Sequence, residues 1–188
     1  IGKHKKFIEE ILSLLDSYGY DIVQPYQVLN AAYHGVPQSR ERLFLMGCRR
    51  GLLLPEYPSP VTKPAGSNKK IPKQYIELPN SPTVWDALQD LPDAEDYCEL
   101  KERDWVEAQF NSPSQYGDRL RNSEAIEGDY SYVRKYDRSL LTSSRRTQHS
   151  EESIQRFEET EPGQSESISR FHKLDPNGVC NTLRAGTG

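Results

Sequence analysis

A chain of 188 residues has room for one well-buried core, or a core and a small lobe. Only 35% of the residues are hydrophobic and 28% are charged, which excludes an apolar-rich, uniformly packed domain and points to long polar loops. No apolar run nears the roughly 18 residues of a membrane span, and no signal peptide is visible.

Residues 3–18 set Phe7, Ile8, Ile11, Leu12 and Leu15 at helical spacing, with lysines and glutamates opposite and Gly19 ending the run. A helix packed on a sheet is expected. Residues 21–29 alternate loosely through Ile22, Val23, Tyr26 and Val28 and read as a strand, in which Pro25 argues for an edge or a bulge. Gly35-Val36-Pro37 reads as a turn, and Leu43 to Met46 as a short buried strand, so that 40–49 pairs antiparallel with 21–29. If that strand begins near Gln38, then Gln38, Arg40 and Arg42 share one face, each about 6.6–7 Å from the next. One amide and two permanent cations in a row suit a planar polar ring or a phosphate. The plain alternative is a solvated strand end with ordinary surface charge.

From Gly51 to Ser81 prolines, lysines and small residues dominate, as in a connection or surface excursion. Thr83-x-x-Asp86 is a capping-box variant opening a helix from Val84 to Leu91 before Pro92. Acidic residues over 93–107 surround Trp105, where another short helix with a solvated acidic face is expected.

Over 109–150, Tyr116, Tyr130, Tyr132 and Tyr136 interleave with Arg119, Arg121, Arg134, Lys135 and Arg138. Such mixing suits phosphate and sugar contacts, with a tyrosine-rich polar loop as the alternative. Arg145-Arg146-Thr147-Gln148 is a dense donor cluster. Arginine on guanine and glutamine on adenine each give ~1–3 kcal/mol of discrimination in the major groove. Ser150 then caps an acidic helix from Glu151 to Glu159, ended by Pro162-Gly163. The tail runs through Arg170 to Thr182-Leu183-Arg184-Ala185-Gly186-Thr187-Gly188, and taken alone its Gly-Thr-Gly end is a flexible terminus.

The net charge of −4 conceals blocks. Residues 1–75 hold 11 Lys and Arg against 6 Asp and Glu, whereas 76–118 hold 2 against 11. Residues 119–150 return to 7 against 4, 151–169 fall to 1 against 6, and 170–188 carry 3 against 1. A nucleic-acid surface would therefore be assembled from 30–50, 119–150 and 170–188, because local patches set phosphate contacts. Cys48, Cys98 and Cys180 stand far apart without a CxxC, which reads as reduced thiols rather than a disulfide framework or zinc site.

Asn30-Ala31 followed by Gly35-Val36-Pro37-Gln38-Ser39-Arg40-Glu41-Arg42 resembles the Gln-x-Arg-x-Arg motif of the DNA cytosine-5 methyltransferases. His34 stands where those enzymes often carry an aromatic residue. The Thr83 to Pro92 segment is similar to the one leading out of their catalytic domain, and Thr182-Leu183 resembles a Thr-Leu pair in their recognition domain. The resemblance implies an α+β fragment in three parts. Residues 1–50 would be the end of an S-adenosylmethionine-dependent α/β domain, a helix plus an antiparallel strand pair. Residues 51–92 would be a Pro-rich connection with a short helix, and 93–188 an irregular, partly β and truncated target-recognition domain.

The resemblance further implies methyl transfer from S-adenosylmethionine to C5 of a cytosine flipped out of double-stranded DNA. Arg42 would donate to O2 of the extruded ring, Arg40 would contact the neighbouring phosphate or buttress a glutamate, and Gln38 would orient the turn. Sequence reading would fall to Arg134, Lys135, Arg138, Arg145, Arg146, Thr147, Gln148, Arg170, Thr182, Leu183, Arg184 and Gly186. The family's Gly-rich cofactor motif, Pro-Cys nucleophile and Glu-Asn-Val motif are not found in these 188 residues. The cofactor would then be held mainly elsewhere in a longer parent, and this chain alone would be inactive. No metal and no membrane are implied; the setting would be a bacterial-type cytoplasm near the nucleoid, or a nucleus in a eukaryote. Two alternatives stay open: a non-catalytic, sequence-specific DNA-binding module, and the tRNA-methylating branch, whose shorter recognition region fits the length after Gly51 less well.

Overall fold

The computed structural model describes residues 5–66, 70–121 and 137–182. Helix α1, Lys5–Ser17, is amphipathic and stops where Gly19 takes φ +79°, a left-handed turn that costs glycine little. Ile8 is its one buried residue, while Phe7 and Leu14 face outward, so the expected packing against a sheet is slight.

The expected antiparallel pair forms, but in two pieces. Strand β1, Tyr20–Ile22, pairs with β5, Gly47–Arg49; strand β2, Gln27–Asn30, pairs with β4, Glu41–Phe44. Both ladders are antiparallel, Tyr20 opposite Arg49 and Asn30 opposite Glu41, and the register shifts by two residues between them. The break falls around Pro25, which has no N–H to offer a ladder. Leu43 and Phe44, expected to be buried, are exposed.

The single strand expected from Gln38 onward is likewise split. Strand β3, Gln38–Ser39, pairs in parallel with β8, Cys180–Asn181, and the chain changes partners at Arg40 before entering β4. The switch has a local cause: the Arg40 N–H donates to the Asn30 carboxamide oxygen at 3.1 Å, not to a ladder carbonyl.

Within the expected excursion, residues 61–66 are tied down while Leu52 and Leu53 are exposed. Thr62 Oγ1 donates to the Ala32 carbonyl at 2.8 Å and accepts from Gly35 N–H at 3.0 Å, and Val61 N–H reaches the Tyr33 carbonyl. Gly66, at φ +60°, lies so near the later chain that a Cβ there would meet Gly178 Cα at 2.9 Å. Helix α2, Val84–Leu88, carries the full capping box between Thr83 and Asp86 and ends earlier than expected.

The hydrophobic core gathers Leu100, Val106 and Leu141, with Leu91, Ala94, Tyr97, Ala108 and Phe110 around it. Trp105 belongs to strand β6, Trp105–Glu107, and not to the helix expected there. Its antiparallel partner β7, Leu140–Thr142, lies too far along the chain for any local pattern to reveal it. Two 3-10 turns, Ala94–Asp96 and Cys98–Lys101, precede it. Helix α3, Gln115–Leu120, is capped by Ser114, and α4, Glu151–Glu159, is capped by Ser150 at the bounds the sequence indicates.

Candidate nucleic-acid interface

The two motif regions meet. Gln38 lies opposite Cys180 and Ser39 opposite Asn181, across a separation of 142 residues. Gln38 Nε2 approaches Cys180 Sγ and the Asn181 carbonyl, each at 3.5 Å, and Thr182 Oγ1 donates to the Ser39 carbonyl at 3.0 Å. The approach to β8 is anchored on α2: the N–H groups of Val84 and Trp85 donate to the Gly178 and Pro176 carbonyls at 2.9 and 3.0 Å. Those donors are first-turn groups with no partner inside their own helix.

Asn30 holds the near side. Its Oδ1 accepts from Ala32 N–H and Arg40 N–H, both at 3.1 Å, while Nδ2 donates to Ser39 Oγ at 3.3 Å. One amide thus fixes the 3-10 turn Ala31–His34 and the backbone of Arg40. Sequence reasoning included Asn30 in the motif and gave it no role; an Asn before a short helical turn is the N-cap signal that could have done so.

The guanidinium groups divide into tied and untied. Arg50 meets Asp16 and Asp21, Arg156 meets Glu166, and Arg138 lies 3.7 Å from Asp118. Arg121 grips Asp90 in a buried pair with two contacts of 2.7 Å, so it is a structural cation and not a phosphate contact. Arg40, Arg42, Arg145 and Arg170 have no carboxylate within salt-bridge range among the described residues; Arg42 Nη1 donates only to the Glu41 carbonyl, at 2.7 Å. Three of the four belong to the charge blocks that the sequence singled out at 30–50 and 119–150, and the fourth opens the last block.

Within the Arg145 to Gln148 cluster the neighbours differ. Arg146 is half-buried, with its N–H on the Leu100 carbonyl at 2.7 Å and its guanidinium on Glu95, whereas Arg145, Thr147 and Gln148 are exposed. Arg134, Lys135, Leu183, Arg184 and Gly186, with Tyr130, Tyr132 and Tyr136, lie outside the described residues.

Beyond α4 the chain forms a hairpin that the sequence did not announce. Gly163 N–H donates to the Lys173 carbonyl, Lys173 N–H to the Gln164 carbonyl and Glu166 N–H to the Phe171 carbonyl, each at 2.9 Å, and Ser165 bridges His172. Glu166 is 3% exposed. Its carboxyl is held down to about 2, first by the Ser169 hydroxyl, then, against the effect of burial, by the N–H groups of Ile168 and Ser169 and by Arg156. Near β8, burial pushes the Tyr116 phenol up; Arg119 works against that rise and Cys180 adds to it. Burial likewise raises Tyr33, whose ring stands 5.3 Å from Tyr75.

This arrangement defines a class: a mixed α/β fold in which Arg40 and Arg42, free of carboxylate partners among the described residues, stand beside a loop-rich lobe. It superposes on the crystal structure of a chain described as a DNA modification methyltransferase encoded within a prophage of E. coli, with a TM-score of 0.61 over 96% of this chain and 48% of the other, at 20% identity. That likeness establishes the fold. The chain belongs to the C-5 cytosine-specific DNA methylase family, which it matches over residues 2–177. It is 46% identical over 187 residues to Type II methyltransferase M.XorII of Xanthomonas oryzae pv. oryzae, covering all of this chain and 40% of that protein. It is also 40% identical over 75 residues to Type II methyltransferase M.AquIA of a Picosynechococcus strain, covering 40% of this chain and 30% of that protein. The chain thus spans less than half the length of these relatives. Among the described residues no helix is long and apolar enough to cross a membrane, and no group of three or more His, Cys, Asp or Glu could hold a metal ion.

Proposed function

We propose that this chain is the target-holding and sequence-reading part of a DNA cytosine-5 methyltransferase. The whole protein would transfer methyl from S-adenosylmethionine to C5 of a cytosine flipped out of a specific duplex sequence. The carrying observation is the β3–β8 pair, which sets the polar row at Gln38–Arg42 against the end of the recognition segment at Thr182.

The division of labour follows from the untied cations. Arg42 donates to O2 of the extruded cytosine, where charge gathers during the reaction. Arg40 meets the adjoining phosphate, and Gln38 fixes the turn through its contacts with β8. Extruding the base costs a few kcal/mol, which contacts of this kind must offset. In this reading residues 1–50 close the catalytic domain, 51–92 connect, and 93–188 read sequence. Arg145, Thr147, Gln148, Arg170 and Thr182 face DNA, Arg146 chiefly anchors its segment, and Arg134, Lys135, Arg138, Leu183, Arg184 and Gly186 extend the surface. The acidic stretch from Asp93 to Glu107 stays away from phosphate.

S-adenosylmethionine finds no cradle among the described residues: no strand leads through a Gly-rich turn into a helix, the arrangement that backbone binding of such a ligand uses. Cys48, Cys98 and Cys180 all lack the preceding proline of the family's nucleophile. In this reading the cofactor and the nucleophile fall to other parts of the whole protein, and these 188 residues alone should show no methyl transfer. The test is the Arg42→Ala variant of the whole protein, assayed for C-5 methylation and duplex binding. Methylation should fall far more than binding; equal losses would reduce Arg42 to a phosphate contact.

A further inference from the structure

We infer that Glu166 is a positioning residue: its buried carboxylate builds the turn that holds Arg170 out as a sequence-reading finger. This rests on the reading of the lobe as a DNA-recognition surface and names the device that shapes it.

Glu166 is among the few buried charged side chains described, and its oxygens are fully used. Oε1 accepts from Arg156 Nε at 2.9 Å and from Ile168 N–H at 2.8 Å; Oε2 accepts from the Ser169 N–H and hydroxyl. A carboxylate out of water persists only when its lone pairs are met this way. The result is a four-residue tip, Ser167 to Arg170, closed by the Glu166–Phe171 backbone bond. Arg170 itself sits at φ +58°, a left-handed conformation that a residue with a Cβ holds only with support. The support is next to it, on Ser169.

The tip is also fixed to α4. Arg156 links Glu166 to the helix and donates to Ser153 Oγ at 3.0 Å. Lys173 Nζ donates to the Phe157 and Glu158 carbonyls at 3.1 and 3.2 Å, and the rings of Phe157 and Phe171 stand 6.0 Å apart. Since α4 begins directly after the Arg145 to Gln148 segment, the brace sets Arg170 at a defined distance from that segment. What the tip offers is apolar and cationic: Ile168 is 69% exposed, Phe171 62%, and Arg170 has no carboxylate partner among the described residues. The flanking helix offers exposed Glu151, Glu152, Glu158 and Glu159, which repel phosphate. Only the tip of this element can approach a groove.

The test uses the whole protein. Its recognition sequence is first mapped by bisulfite sequencing of duplex DNA it has methylated, and each variant is then assayed on that duplex and on duplexes carrying single base-pair changes. Arg170→Ala should lower the ratio of cognate to altered-site methylation by about 10- to 100-fold, the loss of one bidentate base contact. Glu166→Gln places amide N–H groups toward donors and should lower the same ratio comparably. In the Arg170→Ala background it should lower the ratio no further, because Glu166 acts through Arg170. A merely structural role would give additive losses and overturn the inference. Should Glu166→Gln fail to fold, Ser169→Ala, which removes only the hydroxyl contact, should still relax the ratio through Arg170, and an unchanged ratio overturns the brace. Absence of any C-5 methylation would remove the functional reading, and the brace with it, whereas methylation with an unaltered ratio removes the brace alone.

Discussion

The junction at Gln38–Arg42 and the hairpin at 163–173 both present arginines, but they are held by opposite means. The junction is neutral: backbone ladders and the Asn30 amide fix it, and its guanidinium groups form no ion pair among the described residues. The hairpin is ionic, built on a buried carboxylate, an arginine from α4 and a lysine on the end of that helix. A neutral scaffold leaves both arginines for a ligand and should be indifferent to salt and acid. An ionic one spends one arginine to place another and should respond to both.

That contrast can be broken or sharpened at five points. The largest effect is expected at Arg42→Ala in the whole protein, a fall of about 100-fold or more in methylation rate with little change in stability; a drop in melting temperature to match would place Arg42 in the scaffold. Next is Asn30→Ala, which strands the Ala32 and Arg40 N–H groups and should cost about 1–3 kcal/mol by denaturant unfolding. A neutral result would transfer the scaffold role to the ladders alone.

Smaller effects separate neighbours. Arg145→Ala should relax sequence preference about 10-fold without changing stability. Arg146→Ala should relax it less and loosen the contacts to Glu95 and Leu100, seen as faster amide exchange around Leu100. Equal behaviour would erase the distinction between tied and untied cations. The smallest effect is an acid titration of the hairpin. Because the folded Glu166 carboxyl lies at about 2, below its ordinary 4.5, its stabilisation is complete above about pH 4.5 and is lost as pH falls through about 2. Arg156 faces the carboxylate, and His172 and Lys173 line the same small cavity. Followed by NMR on the Ser169 amide, the transition should centre near the lower value, and a midpoint near 4.5 would show the brace open in solution.

Where structure is set by neighbours in the chain, the residues could be read directly. Ser150 and the Glu151–Glu159 helix, the Thr83–Asp86 box and the Gly19 stop all lie in their expected places, because caps and left-handed turns involve contacts within a few residues. The antiparallel pairing of 20–30 with 41–49 was also visible, since a short connection leaves neighbouring strands little choice. The expected three-residue row on one strand was not found as drawn, because Asn30 captures the Arg40 N–H and the strand changes partners there.

Composition and motif spacing by themselves determined the family resemblance, helices α1, α2 and α4 and the blocks of charge. Tertiary structure decided the rest: Trp105 became a strand residue because Leu141 stacks its segment onto a distant partner, and Glu166, one acid among six in its block, became the keystone of a turn. Such outcomes depend on which remote groups share water-free space, and a buried carboxylate takes its meaning from the donors brought to it. Pairing Gln38 with Cys180 required the whole chain to fold, so no window of sequence could have contained it.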